Sequence, residues 1–172
     1  MDKRILLYFH NSPLGKMTMS SDGNALTGLW FEGQKYFGAD FPKEKIVYEQ
    51  KELPIFGKTI RWLDLYFSGK EPDFLPELSL NGTEFRKEVW KILLEIPYGE
   101  TVTYGEIAGK IAKKKGLLTM SAQAVGGAVG HNPISILVPC HRVVGSDGSL
   151  TGYAGGLDKK LALLTLEQKN HK

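Results

Sequence analysis

The residues best suited to chemistry lie in one short run, residues 138–144 with the sequence VPCHRVV, around the only cysteine of the chain. Cysteine reacts as the thiolate, and a neighbouring histidine or arginine favours that form. Successive side chains of an extended segment point in opposite directions, so we expect His141 to act on Cys140 through a bridging water. Pro139 fixes its own φ and holds the segment rigid. The alternative is an inert Cys140 in a β-strand with residues 136–138, beside a histidine satisfied in the core.

Composition narrows the class of protein. A single cysteine among 172 residues excludes an internal disulfide and a cysteine-based zinc cluster. The apolar runs are too short to cross a bilayer, and the start Met1-Asp2-Lys3-Arg4 does not resemble a secretory signal. We therefore expect a cytoplasmic protein that has no membrane partner.

The charge is unevenly distributed along the chain. Residues 1–81 hold 10 Lys and Arg against 11 Asp and Glu, net −1, whereas residues 82–172 hold 12 against 8, net +4. A basic half suits contacts with the phosphates of a nucleic acid. An ordinary solvated surface explains it equally well.

The first half is predicted to form a small antiparallel sheet with one helix. Residues 5–9, 16–20 and 26–31 are rich in β-favouring types, and residues 46–48 are a fourth candidate strand. Asp22-Gly23-Asn24 reads as a hairpin turn. A helix is expected near residues 53–67, and the polar stretch from 68 to 82 is a candidate linker.

The second half has helical periodicity instead. Thr83 can cap one helix, the capping box Thr103-Tyr104-Gly105-Glu106 opens another, and Ser121 can cap a short helix over residues 122–130. The run Lys113-Lys114-Lys115-Gly116 is predicted to be a loop. Two short helices joined by a turn suit a DNA-binding helix-turn-helix, although packing alone also produces helical hairpins. We predict an α+β fold with an N-terminal α/β supporting domain (1–81) and a mostly helical domain (82–172).

The helix over residues 122–130 carries two internal glycines, Gly126 and Gly127, and no large side chain. Each such glycine costs about 1 kcal/mol relative to alanine. Either the helix packs closely on another helix, or a bulky object such as a DNA backbone approaches it.

These motifs together resemble the O6-alkylguanine-DNA alkyltransferases, also called methylated-DNA–protein-cysteine methyltransferases. The resemblance rests on PCHRV at 139–143, AVGGA at 124–128, Asn132-Pro133, GYAGGL at 152–157 and a helix ending at Glu167. These motifs stand in the order and spacing of the family from Phe85 to Glu167, about half of the chain. The first half resembles the family in layout rather than in motif.

The resemblance implies repair of double-stranded DNA. The damaged guanine is flipped out of the duplex, and Cys140 takes the alkyl group from its O6 atom without a metal or a cofactor. O4-alkylthymine is a candidate second substrate. The thioether has no route back to a thiol, so one protein molecule, expected to be a monomer, is consumed per lesion.

The resemblance also implies residue roles. Glu167 orients His141, which deprotonates Cys140 through a water. Asn132 fixes the turn between the recognition helix and the active-site strand, and Tyr104 rotates the nucleotide and donates a hydrogen bond or proton to guanine. The remaining residues that would contact DNA or the flipped base are Ser121, Gln123, Ala124, Gly127, Val143 (by its carbonyl, with that of Cys140), Ser146 and Ala154 (by its amide).

Two features depart from the family pattern. Gln123 stands where relatives commonly carry an arginine that fills the gap left by the flipped base, so we expect slower repair. The predicted loop over residues 113–117 is longer than usual, and its lysines either contact phosphates or lie on a mobile solvated loop.

Three other functions compete with alkyl transfer. A non-catalytic protein that recognises alkylated bases would lack the reactive cysteine, so Cys140 argues against it. An alkylation-sensing regulator would add an N-terminal domain with several cysteines, but this chain has no cysteine other than Cys140. A cysteine hydrolase would need a histidine in contact with the sulfur, which the adjacent position of His141 makes difficult.

Overall fold

The computed structural model describes residues 4–39, 41 and 47–171. The chain forms two compact units, Met1–Asn81 with Pro133–Ser135, and Gly82–Asn132 with Ile136–Lys172. Residues 133–135 join the first unit through hydrogen bonds with one of its strands. The amide of Leu29 donates to the carbonyl of Pro133 at 2.8 Å, and the amide of Ser135 donates to the carbonyl of Leu29 at 2.9 Å.

The first unit contains a four-stranded sheet. Its strands are β1 (Arg4–Ser12), β2 (Gly15–Ser21), β3 (Leu26–Phe31) and β4 (Val47–Gln50), in the order β3-β2-β1-β4. The first three strands are antiparallel, as expected, but β4 runs parallel to β1. The long connection from β3 to β4 allows the parallel direction, which a short hairpin cannot. The strand predicted at 46–48 is confirmed at residues 47 and 48 and continues to Gln50, but it is parallel to β1 and not antiparallel. Ile46 lies outside the described residues.

The predicted hairpin turn follows β2. The Asp22 side chain accepts hydrogen bonds from the amides of Asn24 and Ala25, both at 2.9 Å, as short acidic residues do in turns. The stretch predicted as a linker is partly structured, because the amide of Leu26 donates to Glu77 and the amide of Ser79 donates to Leu26.

Helix α1 (Pro54–Phe67) follows β4 and contacts β1 and β3. Proline suits the first helical position, where its missing N–H has no intrahelical acceptor. The buried face of α1 packs into the core of this unit with residues of β2 and β3, including Met17, Met19, Leu29, Phe31, Phe56, Leu63 and Tyr66.

The second unit is mostly helical. Its elements are α2 (Glu84–Leu94), β5 (Val102–Thr103), α3 (Tyr104–Lys115), α4 (Ala122–Gly130), a 3₁₀ turn (Cys140–Arg142), β6 (Val143–Val144) and α5 (Leu157–Asn170). The Thr83, Thr103 and Ser121 hydroxyls accept from the amides of the third residue after each, as predicted. The Trp90 indole donates to the Ala128 carbonyl at 2.8 Å and joins α2 to α4.

The lysine run predicted as a loop is instead the last turn of α3. Gly116 adopts a left-handed φ of 68°, and the amide of Leu117 donates to Ala112 at 2.8 Å, which ends the helix after Lys115. Lysines in a last turn are favourable because they face the negative end of the helix dipole. The prediction of a loop was wrong because it treated the lysines as a break in the helix.

The segment that carries the cysteine is also not a strand. Residues 136–138 form turns, and the 3₁₀ turn Cys140–Arg142, called the reactive turn below, follows Pro139. The amide of Cys140 donates to Val138 at 2.8 Å, and that of Arg142 donates to Pro139 at 3.0 Å. The expected extended conformation was wrong because these local bonds wind the chain. The short strand β6 follows the reactive turn and pairs in parallel with β5, the strand that directly precedes α3.

Candidate active site

Cys140 is the first residue of the reactive turn, and it is only 7% exposed. Burial raises the pKa of its thiol, while hydrogen bonds from Asn132 and Tyr153 and the positive charge of Lys160 oppose that rise. The raised pKa keeps the resting thiol protonated, so a reaction at the sulfur requires a base.

A buried histidine–carboxylate pair follows Cys140. Nε2 of His141 lies 2.5 Å from Oε2 of Glu167, and both side chains are fully or almost fully buried. Glu167 therefore is not a solvated charge at the end of a helix. It lies within α5, which continues to Asn170 rather than ending at Glu167.

Arg142 provides the countercharge. Its Nε donates to Oε1 of Glu167 at 2.8 Å, and its Nη2 donates to Oε2 at 3.2 Å. Its Nη1 donates to the Ile96 carbonyl at 2.7 Å, and the amide of Gly99 also donates to Oε1 of Glu167 at 3.0 Å. The Glu167 carboxylate is thus held by several donors, which fixes its orientation toward His141.

These contacts set the charge states. Burial opposes ionisation of Glu167, but the hydrogen bonds and charges of His141 and Arg142 outweigh it and lower its pKa to about 2. Burial, with the positive charges of Arg142 and Lys160, lowers the pKa of His141 despite the attraction of Glu167. A neutral imidazole beside an ionised carboxylate carries its proton on Nε2, which leaves the basic lone pair on Nδ1.

Asn132 connects the end of α4 to the segment before the cysteine. Its amide donates to the Val138 carbonyl at 2.8 Å, and its side chain is buried. The resemblance implies that Asn132 fixes the turn between the recognition helix and a strand that carries the cysteine. In the structure, the segment after Asn132 leads into the reactive turn and not into a strand.

Tyr104 is the first residue of α3. Its hydroxyl donates to the Thr151 carbonyl at 3.1 Å. Burial raises the pKa of Tyr104, and the nearby Cys140 adds to the rise, so the phenol stays protonated. It is therefore a proton or hydrogen-bond donor at neutral pH.

The predicted DNA-contacting residues of α4 share one exposed side of the helix start. Val125, Ala128 and Val129 are buried on the opposite side. Ser121 both caps the helix and remains exposed, and its hydroxyl accepts from the amide of Ala124 at 3.1 Å. The predicted contacts Ser121, Gln123, Ala124 and Gly127 are all exposed.

The remaining predicted residues follow the reactive turn. Val143 is buried in β6, and Ala154 is half-buried in the loop before α5. Ser146 is exposed on a turn closed by the amide of Gly145, which donates to Ser149 at 2.9 Å. Cys140, His141, Glu167 and Asn132 are all buried, and a hydrogen bond joins His141 to Glu167, whereas Ser146 lies on the surface.

Sequence reasoning missed the buried Lys160, and it considered Arg142 only as a neighbour that favours the thiolate and not as the partner of Glu167. Both are charged residues, which are rarely buried unless their donors are satisfied. Lys160, Leu163 and Glu167 are the buried residues of α5 and recur at helical spacing. That spacing is the signal that could have placed Lys160 on the inner face together with Glu167. In the described ranges, no group of three or more His, Cys, Asp or Glu side chains is arranged to hold a metal ion.

No helix among the described residues is long and apolar enough to cross a membrane.

Two family descriptions match nearly the whole chain. Residues 5–80 match "6-O-methylguanine DNA methyltransferase, ribonuclease-like domain", and residues 84–169 match "6-O-methylguanine DNA methyltransferase, DNA binding domain". A methylated-DNA–protein-cysteine methyltransferase of Mycobacterium tuberculosis is 44% identical over 158 residues, which cover 92% of this chain and 89% of the relative. One of Methanosarcina mazei is 45% identical over 168 residues, 96% of this chain and 100% of the relative.

Solved structures agree with this assignment. Mycobacterium tuberculosis OGT in complex with DNA superposes with a TM-score of 0.81 at 42% identity and covers 96% of this chain and 94% of its own. The O6-methylguanine-DNA methyltransferase of Pyrococcus kodakaraensis gives 0.61 at 28% identity, with 95% and 98% covered. The chain therefore belongs to the 6-O-methylguanine DNA methyltransferase family.

Proposed function

We propose that this protein repairs double-stranded DNA by moving an alkyl group from O6 of guanine to Cys140. The observation that carries the proposal is the buried pair of His141 and Glu167, 2.5 Å apart, directly after the only cysteine. The relatives named as methylated-DNA–protein-cysteine methyltransferases support the same chemistry.

The reaction begins with proton removal. A water bridges Cys140 to His141, whose Nδ1 lone pair accepts the proton while Glu167 stabilises the imidazolium that forms. The thiolate attacks the alkyl carbon, so a sulfur–carbon bond forms as the carbon–O6 bond breaks. The bonding electron pair leaves with guanine, and Tyr104 donates a hydrogen bond or proton as negative charge develops there. The thioether is stable, so each molecule acts once.

The lesion reaches the buried sulfur by leaving the base stack, because an alkyl group on O6 is out of reach inside a duplex. The exposed side of α4 enters a groove, and Ser121, Ala124 and Gly127 approach the DNA backbone. Gln123 occupies the gap left by the flipped guanine and hydrogen-bonds the orphaned base.

The flipped base is read by main-chain groups around the reactive turn. The carbonyls of Cys140 and Val143 accept from the exocyclic amine of guanine, and the amide of Ala154 faces its oxygen. Ser146, exposed beyond β6, contacts the DNA backbone. The functional division is an N-terminal supporting domain (1–81) and an acceptor domain (82–172), acting as a monomer in the cytoplasm without cofactor.

Mass spectrometry of the intact protein and of its peptides tests the proposal. The protein is incubated with a duplex that contains O6-methylguanine, with Cys140→Ser as the matched control and an undamaged duplex as the substrate control. We expect one added methyl group per molecule, located on Cys140, and none in either control.

A different result would identify the competing function. If the protein binds the lesion duplex more tightly than the undamaged one but Cys140 stays unmodified, the protein recognises alkylated bases without repairing them. Turnover of more than one lesion per molecule would instead contradict irreversible transfer to a single cysteine.

A further inference from the structure

Lys160, in the second turn of α5, is completely buried. Its ammonium donates to three main-chain carbonyls, those of Val143 at 2.6 Å, Thr151 at 3.1 Å and Gly152 at 3.2 Å. An ammonium has three donors, and all three find acceptors, whereas a neutral amine could supply only two. The geometry therefore corresponds to a charged lysine.

All the acceptors that the described residues offer Lys160 are neutral carbonyls. No carboxylate of the described ranges forms an ion pair with it, so its charge remains uncompensated inside the protein. Burying such a charge is costly even when its hydrogen bonds are complete. Lys160 binds the carbonyl of Val143, the residue directly after the reactive turn, so its ammonium lies beside the segment that carries the sulfur. Burial lowers the pKa of Lys160, and the nearby Cys140 acts in the opposite direction.

The three carbonyls belong to the segments that surround the cysteine. Val143 directly follows the reactive turn, and the Thr151 carbonyl also accepts from the Tyr104 hydroxyl at 3.1 Å. Gly152 has a left-handed φ of 53° and begins the loop that carries Tyr153, whose side chain acts to lower the pKa of Cys140. One ammonium thus ties α5, β6 and this loop together.

We propose that Lys160 is a positioning residue for alkyl transfer, whose ammonium holds the Val143 carbonyl and the 151–152 segment around Cys140 and whose uncompensated charge stabilises the thiolate. The proposal rests on the proposed function for its role in repair. Its electrostatic part concerns the sulfur itself and does not depend on DNA.

Two measurements on the same variants test both parts. Lys160→Met keeps the length of the side chain but removes its charge and donors, and Lys160→Gln keeps donors without the charge. Lys169→Met, at an exposed position of the same helix, is the matched control. Iodoacetamide labelling of Cys140 as a function of pH reports the thiolate, and single-turnover methyl transfer from a lesion duplex reports repair.

The expected result separates charge from packing. A nearby opposite charge shifts a pKa by about 1–3 units, so both neutral variants should label with a pH profile displaced upward by about one unit or more. Their methyl transfer at pH 7 should be about tenfold slower or more, with the Met variant slower than the Gln variant. The other groups that face Cys140, namely Asn132, Tyr104, Tyr153 and the His141–Glu167–Arg142 cluster, are unchanged in every variant.

Failure of the Lys160 proposal and failure of the proposed repair function would give different results. If the neutral variants fold and label with the wild-type pH profile at wild-type transfer rates, Lys160 is structural only and the proposal is wrong. If wild type itself accepts no methyl group, the proposed repair function fails, while the labelling profiles still decide the effect of Lys160 on the sulfur.

A third variant covers a failure to fold. If neither neutral variant folds, Lys160→Arg decides, because it keeps the charge but its larger head displaces the three carbonyls. We then expect an unchanged labelling profile with slower transfer, and an unchanged transfer rate would overturn the proposal.

Discussion

The ring of Tyr104 lies against Gly126, with two ring carbons 3.8 Å from where a Cβ on Gly126 would stand. A methyl group on residue 126 would therefore make ordinary van der Waals contact with the ring, so this packing between α3 and α4 leaves room for alanine. Gly127 differs, because a Cβ there would meet nothing within 4 Å. Close packing therefore requires glycine at neither position, and approach by an external object such as DNA stays a prediction for Gly127.

Replacing Gly127 separates stability from DNA binding. Gly127→Ala should raise the free energy of unfolding by up to about 1 kcal/mol, since alanine favours a helix and has space there. It should nevertheless weaken binding to duplex DNA if the backbone of DNA approaches this position. Gly109→Ala on α3 is the matched control, because it is also exposed and open. Equal DNA affinity of the two variants would show that Gly127 does not face DNA.

Gln123→Arg should speed repair. Gln123 is exposed near the start of α4, so arginine fits without repacking the core. A guanidinium adds a positive charge and a planar group that can stack in the vacated gap. We expect faster single-turnover transfer from a duplex but an unchanged rate with free O6-methylguanine base, which needs no flipping. Acceleration with both substrates would place the effect at the sulfur rather than at the DNA.

The lysines in the last turn of α3 are predicted to contact phosphates. Lys115 is held by Glu88 at 3.3 Å, which leaves Lys113 and Lys114 as the better candidates. Replacing both by glutamine should reduce the slope of log affinity against log salt by about 2, because each phosphate contact contributes about 0.9. The double variant Lys51→Gln/Lys70→Gln, exposed in the first unit, is the control. Identical slopes for the two double variants would mean that α3 ends in a solvated turn.

Acid should unfold the protein through Glu167. Its pKa in the folded state is about 2 against an ordinary value of 4.5, so its contribution to stability is complete above pH 4.5 and is lost as the pH falls toward 2. The difference corresponds to about 3 kcal/mol. Urea unfolding between pH 7 and pH 2.5 measures it. The lowered pKa of His141 adds a separate loss that begins as the pH falls below 6.5.

Glu167→Gln checks the same pair at neutral pH. The change leaves Arg142 buried without a countercharge, so the free energy of unfolding should fall by about 3–5 kcal/mol. Methyl transfer should slow by about a hundredfold or more, because His141 loses the group that orients it and stabilises its charge. Glu77→Gln, an exposed partner of Lys58, is the control and should change little. A variant with normal transfer would exclude Glu167 from the reaction.

Much of the fold could be predicted because its signals are local. The caps Thr83, Thr103 and Ser121 act on amides three residues away, and the Asp22 turn closes on its own neighbours. The family was predicted correctly from ordered motifs and the α+β fold from the patterns along the chain, whereas the roles of the residues around the cysteine stay predictions.

The features that could not be predicted depend on distant partners or on competing local bonds. The parallel direction of β4 is decided by its pairing with β1, and the wound conformation at Cys140 by bonds that an extended strand would not make. From the sequence, a lysine such as Lys160 is expected on the surface. It is buried because the carbonyls of β6 and of the loop before α5 accept hydrogen bonds from its ammonium. The lysines at the end of α3 were predicted to form a loop because of their charge, whereas the helix continues through Lys115.

The position of Glu167 on α5 has a consequence for protein synthesis. The cysteine and its histidine leave the ribosome before the carboxylate that orients the histidine, since α5 follows every other described element. A nascent chain therefore carries the thiol before it carries a complete base. Under the proposed mechanism, Cys140 therefore gains its complete base only when α5 has been synthesised and has docked.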